Sequence, residues 1–174
     1  MSHKPEGIQF LEERLGQEVF VSKWLVISQE ETDAFAKLTD DEDPMHNDPE
    51  WAAKTPWGGT IVQAAHVLSL GAAIIINSDI PLDIETDGNS YVLNYGYDRV
   101  RVMSPLRVGH QFRYRVKVVN IHPKSRREFV IKWEVTVEVE GQDKPFMVYE
   151  SLVYWATDQG LPSIEHIKEG LKKS

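Results

Sequence analysis

Between positions 35 and 53 the chain gathers groups that can move protons: Asp40, Asp41, Glu42, Asp43, His46 and Asp48, interrupted by Pro44 and Pro49. A carboxylate and an imidazole form an acid/base couple when a bend aims both into one cavity, because one accepts a proton that the other can return. Pro44 supplies such a bend. It has a fixed φ and no N–H, and it pushes Asp43 out of the helical region, so the chain from Asp41 to His46 is predicted to run extended or turned. Asp48-Pro49-Glu50 then restarts a helix, with Asp48 accepting from the first backbone N–H groups and Pro49 at the first helical position.

The elements that must position this stretch are legible on both sides of it. Ser28-Gln29-Glu30-Glu31 matches a capping box and predicts a helix from about Gln29 to Leu38, with Phe35 and Leu38 on its buried side. Thr60 is suited to cap a second, longer helix through about Asn77. That helix is apolar nearly all round, the mark of a buried one, and Gly71 inside it fits close packing against a sheet. Downstream the period changes to two. Gln111 to Val118 and Ile131 to Val139 alternate polar and apolar residues, and Phe146 to Trp155 reads as a third strand after a turn-like Glu140 to Pro145. Connections of hairpin length predict an antiparallel meander. A buried helix followed by a long antiparallel sheet predicts an α+β domain whose sheet wraps the helix. We expect one domain over residues 1–174, with an N-terminal tail over about 1–18 and a short terminal helix from Pro162 to Lys173.

The run Asp40-Asp41-Glu42-Asp43-Pro44-Met45-His46, with Asp48 after it, resembles the MaoC-like, R-specific enoyl-CoA hydratases, whose signature reads approximately Gly-Asp-x-Asn-Pro-x-His and then Asp. Two departures stand out: Asp40 replaces the usual Gly and Asp43 the usual Asn. The stretch Trp57 to Leu70 looks like the same family's Phe-Gly-x-x-Ile-x-His-Gly-Met segment. Asn94-Tyr95-Gly96-Tyr97-Asp98-Arg99-Val100-Arg101, followed by Ser104-Pro105, is similar to the NodN-like branch. The resemblance spans roughly residues 20 to 156. It implies the hotdog fold, a homodimer with joined sheets, an acyl-CoA or carrier-bound acyl thioester as substrate, and no cofactor. It also implies catalytic roles for Asp41 and His46, and an oxyanion donor in the backbone N–H of Ala64. Ala64 stands where the family has Gly, and its methyl group is expected to crowd the substrate.

Each residue has a plainer reading beside the functional one. Asp41 fits a solvated acidic turn or a helix cap, and His46 an ordinary loop position. His66, on an apolar helix, reads as a packed core or interface residue rather than a catalyst. Gln63 suits either substrate contact or a helix-end hydrogen bond, Asp48 a supporting role, and Asn94 and Tyr95 either the acyl pocket or strand-end packing. Metal chemistry fits poorly. A calcium loop starting at Asp41 would put His46 where glycine belongs and Ala52 where glutamate belongs. Zinc finds no cysteine and no close histidine pair, and Gly58-Gly59 is too sparse for a phosphate loop.

Composition narrows the rest. The chain has 174 residues, no cysteine and a net charge of -8, which excludes disulfides and thiol nucleophiles and opposes a nucleic-acid surface. Capture of coenzyme A would need a local basic patch, for which Arg99, Arg101, Arg107 or the turn Lys124 to Arg127 are available; the plainer reading is solvated surface charge, and for the turn it is the preferred one. The N-terminus lacks a signal-peptide core, and the most apolar run, Ile61 to Ile76, is interrupted by Gln63, His66 and Ser69, so no membrane partner and a cytoplasmic location are expected. Three functions follow: an R-specific hydratase or dehydratase of acyl thioesters, a thioesterase on the same fold, and an acyl-binding protein without turnover. The second is disfavoured because Ile61 to Asn77 contains no Asp or Glu, whereas many hotdog thioesterases carry a carboxylate on the central helix.

Overall fold

The computed structural model describes residues 5–80 and 90–157. In chain order the elements are α1 (Glu6–Glu12), β1 (Glu18–Val21), α2 (Gln29–Thr39), α3 (Pro44–Asn47), α4 (Pro49–Ala52), α5 (Ala64–Ile76), β2 (Tyr91–Val102), β3 (Phe112–Pro123), β4 (Glu128–Val139) and β5 (Met147–Ala156). The strands form one sheet in the order β1-β3-β4-β5-β2, and every pairing is antiparallel. The expected meander is therefore β3-β4-β5, with β1 and β2 added at its two edges.

Alternation fixes which face of that sheet is the inner one. Phe112, Tyr114, Val116 and Val118 of β3 are buried, as are Trp133, Val135 and Val137 of β4 and Met147, Tyr149, Val153 and Trp155 of β5. Between them, on the outer face, Arg113 and Arg115 pair with Glu138, Arg115 also with Glu18, and Lys117 with Glu134. A slip of one residue in register would bury these charges, so the pattern itself selects the pairing.

The helix α5 lies against the inner face. Val67, Gly71 and Ile75, spaced four apart, are its buried residues, and the Tyr114 hydroxyl donates to the Val67 carbonyl at 2.6 Å. Gly71 allows this approach: a Cβ there would overlap the Tyr149 hydroxyl and stand 3.2 Å from Tyr114 Cε1. The expectation of a helix buried all round is corrected, because Ala65, Ser69, Ala73 and Ile76 are exposed on its far side. Its start is corrected as well. Thr60 is not the cap; the backbone from Thr60 to Val62 is engaged by the 106–108 segment, with Val62 N–H donating to Leu106 O at 2.8 Å and Val108 N–H to Thr60 O at 3.0 Å. Coiling cannot begin until those bonds end, so Gln63 becomes the N-cap.

The capping box of α2 forms as predicted, with Glu31 N–H donating to Ser28 Oγ at 3.1 Å and Ser28 N–H to Glu31 Oε2 at 2.8 Å. Leu38, expected on the buried side, is 82% exposed. The inward line of α2 is Thr32 and Ala36, one helical turn apart, and Leu38 lies far around the helix from it. Residues read as an N-terminal tail include α1, whose Ile8 and Leu11 are fully buried in the core. The terminal helix expected over Pro162 to Lys173 lies outside the described residues.

Candidate active site

The acidic stretch folds into two one-turn helices, α3 and α4, because its aspartates cap them. The Asp43 carboxylate accepts from Met45 N–H at 2.9 Å, and the Asp48 carboxylate accepts from Trp51 N–H at 2.9 Å, each followed by a proline at the helix start. Two of the negative charges are thus committed to backbone donors. Asp40 ends α2 in the left-handed conformation, at φ 58°. Glycine adopts that conformation without strain, and aspartate is among the few other residues that visit it. Asp41 follows immediately. Its N–H donates to Ala36 O at 3.0 Å, while its carboxylate is exposed and takes no hydrogen bond from the described residues.

His46 is held from three directions. Its Nδ1 lies 2.6 Å from the carbonyl oxygen of Ile61. A carbonyl accepts only, so in the neutral ring the proton sits on Nδ1 and the lone pair is left on Nε2. The reciprocal bond, Ile61 N–H to Met45 O at 3.0 Å, locks the same two segments together. From the other side the Gln29 amide donates to the His46 carbonyl at 2.7 Å. The imidazole is buried.

Beyond Ile61 the chain passes through Val62 and Gln63 into α5. Ala64 is the first helical residue, and the N-cap offers no side-chain acceptor to the first turn. The Ala64 N–H therefore points out of the helix start with no acceptor among the described residues, where the helix dipole favours a developing negative charge. The Ala64 side chain packs against the hydrophobic core, so the N–H and the methyl group serve different neighbours.

The remaining candidates divide. Gln63 is 3% exposed, and its amide donates to Thr32 O at 3.2 Å. That contact ties α5 to α2. Its Oε1 is buried without a partner among the described residues. Asn94 and Tyr95 lie on the edge strand β2. Asn94 donates to the Tyr97 hydroxyl at 2.7 Å, and Tyr95 stacks on Tyr154 with centroids 6.2 Å apart. No described hydrogen bond or ring contact joins either to the His46 group. His66 packs, as the sequence suggested: its ring stacks on Phe35 at 4.6 Å and an interplanar angle of 1°. Burial pushes the His66 pKa below the ordinary imidazole value, and the Glu31 carboxylate opposes that shift more weakly.

Sequence reasoning did not single out Gln29, Asp33 or the Ile61 carbonyl. The Gln29 amide donates to Asp33 Oδ1 at 2.8 Å as well as to His46 O, and its Oε1 accepts from the Thr60 hydroxyl at 2.6 Å. Asn47 donates to the same Asp33 oxygen at 2.7 Å. A capping box announces that a helix starts at Gln29 but says nothing about what its first side chain will reach.

Comparisons with known proteins agree with this architecture. The family model described as a MaoC like domain matches residues 10–142. Nodulation protein N of Rhizobium leguminosarum bv. viciae is 38% identical over 133 residues, covering 76% of this chain and 80% of that protein. The 3-hydroxyacyl-thioester dehydratase Z of Mycobacterium tuberculosis is 33% identical over 148 residues, covering 85% of this chain and 95% of that protein. Among solved structures, an (R)-hydratase from A. caviae involved in PHA biosynthesis superposes with a TM-score of 0.63 at 22% identity, over 80% of this chain and 94% of the other. A MaoC-like dehydratase from Rhodospirillum rubrum gives 0.68 at 19% identity, over 84% and 96%. The fold is the hotdog. The chain belongs to the MaoC-like dehydratase family.

Proposed function

We propose that this chain is an R-specific hydratase of trans-2-enoyl thioesters, equally a dehydratase of the 3-hydroxyacyl thioesters in the reverse direction. One observation carries the reading. A buried imidazole is bonded through Nδ1 to the carbonyl of Ile61, three residues before a helix-start amide that has no acceptor among the described residues.

Asp41 and His46 hold one water beside the substrate's double bond. As the water oxygen bonds to C3, one of its protons passes to the pair, with His46 Nε2 carrying the free lone pair. The π electrons move toward the thioester, and the negative charge that develops on its oxygen is met by the Ala64 N–H. The proton is then returned to C2 on the same face. Water is consumed, both protein groups are regenerated, and no cofactor is needed. Asp43 and Asp48 shape the segment through their caps, and Gln63 anchors the start of α5.

Support from relatives lies in the hydroxyacyl-thioester dehydratase similar over most of both chains. The thioesterase reading lacks a carboxylate on α5, which runs Ala64–Ile76 without Asp or Glu. The active form is read as a homodimer in a cytoplasmic setting, with the carrier either coenzyme A or a carrier protein. Here support comes from β2, an outer strand with Leu93, Tyr95 and Val102 exposed on it; a solution mass of one 19.9 kDa chain would count against the dimer.

The test compares Asp41→Asn and His46→Gln with the wild type on trans-2-enoyl-CoA. Each variant is expected to fold normally and to lose at least about 100-fold in turnover, the scale of a missing acid/base partner. Wild-type turnover in either variant would remove that residue from the mechanism.

A further inference from the structure

We infer that Gln29 is the positioning residue for His46, joining the two halves of the site that α2 does not itself contain. The inference rests on the proposed roles of His46 and Ala64.

A glutamine side chain has two N–H donors and one carbonyl oxygen. In Gln29 all three functions are engaged, on different elements: one bond to Asp33 Oδ1 of α2, one to the backbone carbonyl of His46 in α3, and one from the Thr60 hydroxyl in the segment that leads to Ala64. The amide cannot be flipped, because that would set its oxygen against the His46 carbonyl and the Asp33 carboxylate. The capping box around Ser28 and Glu31 fixes where the first turn of α2 begins, and so where Gln29 points. Asp33 is secured in turn by Asn47, the residue after His46, so α2 grips α3 on both sides of the histidine carbonyl.

This grip governs the Nδ1 contact. The backbone carbonyl of His46 is held toward α2 while its ring reaches the other way to Ile61 O at 2.6 Å, one residue after Thr60. Release of Gln29 frees the α3 turn to shift against the 60–63 segment. The Nδ1 bond then lengthens, and the imidazole loses its preference for the tautomer that leaves Nε2 basic. Displacements of about 1 Å at reacting groups cost on the order of 100-fold in rate, and supporting partners of this kind typically account for 10–100-fold.

The test is Gln29→Leu, which keeps bulk and removes all three bonds. Two readouts are taken. At about pH 8.5, where an ordinary imidazole is neutral, two-bond nitrogen–proton spectra report the His46 tautomer in the free protein. We expect Nδ1–H alone in the wild type and a mixture in the variant. On trans-2-enoyl-CoA, kcat is expected to fall about 10–100-fold while KM changes by less than about threefold, because Gln29 touches no substrate. Where Gln29→Leu does not fold, Thr60→Val substitutes for it, freeing only Gln29 Oε1, with a smaller fall in kcat and partial mixing of tautomers. A folded variant with the wild-type tautomer and wild-type kcat overturns the assignment. The spectra stand apart from turnover: tautomer mixing in a protein that hydrates nothing would uphold the positioning role and refute the hydratase reading, whereas turnover unaffected in Gln29→Leu would refute the positioning role alone.

Discussion

Replacing Gly71 with alanine tests the helix–sheet contact beneath the site, and the structure sets the size of the effect. In an ordinary helix interior the change stabilises by about 1 kcal/mol, through propensity alone. Here the new Cβ would overlap the Tyr149 hydroxyl and crowd Tyr114 Cε1 at 3.2 Å. Both rings are buried, Tyr149 at 1% exposure and Tyr114 at 0%, and Tyr114 is anchored to the helix by its bond to Val67 O. Neither can swing into solvent. Overpacking of this kind costs about 1–3 kcal/mol, so Gly71→Ala should come out destabilising by up to about 2 kcal/mol. The Tyr149 hydroxyl is also buried with no partner among the described residues, so Tyr149→Phe discards an unsatisfied polar group and should be neutral or stabilising. With the oxygen gone, the nearest ring carbon of residue 149 would stand 3.3 Å from the new Cβ, tight but tolerable. The double variant should therefore recover about 1–2 kcal/mol relative to the sum of the singles. Equilibrium urea denaturation of the four proteins reads the cycle directly. Additivity within about 0.5 kcal/mol, or a Gly71→Ala protein more stable than the wild type, would refute the close approach.

Two further outcomes concern the flanks of the site. Asp40→Gly should leave stability unchanged or raise it by up to about 1 kcal/mol, since the left-handed φ no longer opposes a side chain; Asp40→Val, β-branched at that φ, should lower it, and urea midpoints in the opposite order would contradict the assignment of Asp40 as the helix C-cap. For His66 the pKa is lowered in the folded state by burial. The unfolded chain therefore takes up the proton first, and the stability tied to the neutral ring is complete above the unfolded value of about 6.5 and drains away as pH falls through the lower folded value. His66→Leu should flatten the stability profile in that acidic window while leaving the region above pH 7 little changed; equal slopes in both proteins would show that His66 is not the group responsible.

The parts of the fold legible in the sequence were those with an uninterrupted local signal. The alternation in β3 and β4, the capping box at Ser28 and the helix restart at Pro49 each announced an element, and each is present. The stretch from Asp41 to His46, expected to run extended or turned, instead coils from Pro44 into α3, because the Asp43 carboxylate caps that turn and proline is well suited to the first helical position. Strand β2 is harder to read because register shifts fall between Asn94 and Gly96 and between Asp98 and Arg101, with Gly96 and Arg99 at positive φ. Two bulges in twelve residues destroy a period of two. Strand β1 has four residues and shows no alternation of its own. The start of α5 was misread because the backbone after Thr60 is drawn into pairing with residues 106–108, a partner more than forty positions away. Leu38 was misplaced because the inward face of α2 is lined by small and polar residues rather than by its largest apolar ones. Of the proposed site, Asp41, His46 and Ala64 could be named only through the resemblance of their motifs to the MaoC-like family. Gln29 could not, since its three partners lie at separations of 4, 17 and 31 residues.

The most direct measurement supplies the purified protein with trans-2-enoyl-CoA esters of short, medium and long chain, following the conjugated-thioester absorbance and free thiol together. The account predicts loss of absorbance without thiol release and an R-3-hydroxy product, with chain lengths ranked by rate. Release of thiol would make the protein a thioesterase and contradict the roles given to Asp41, His46 and Ala64; an unchanged absorbance with every chain, and with the same acyl groups on a carrier protein, would contradict the hydratase itself.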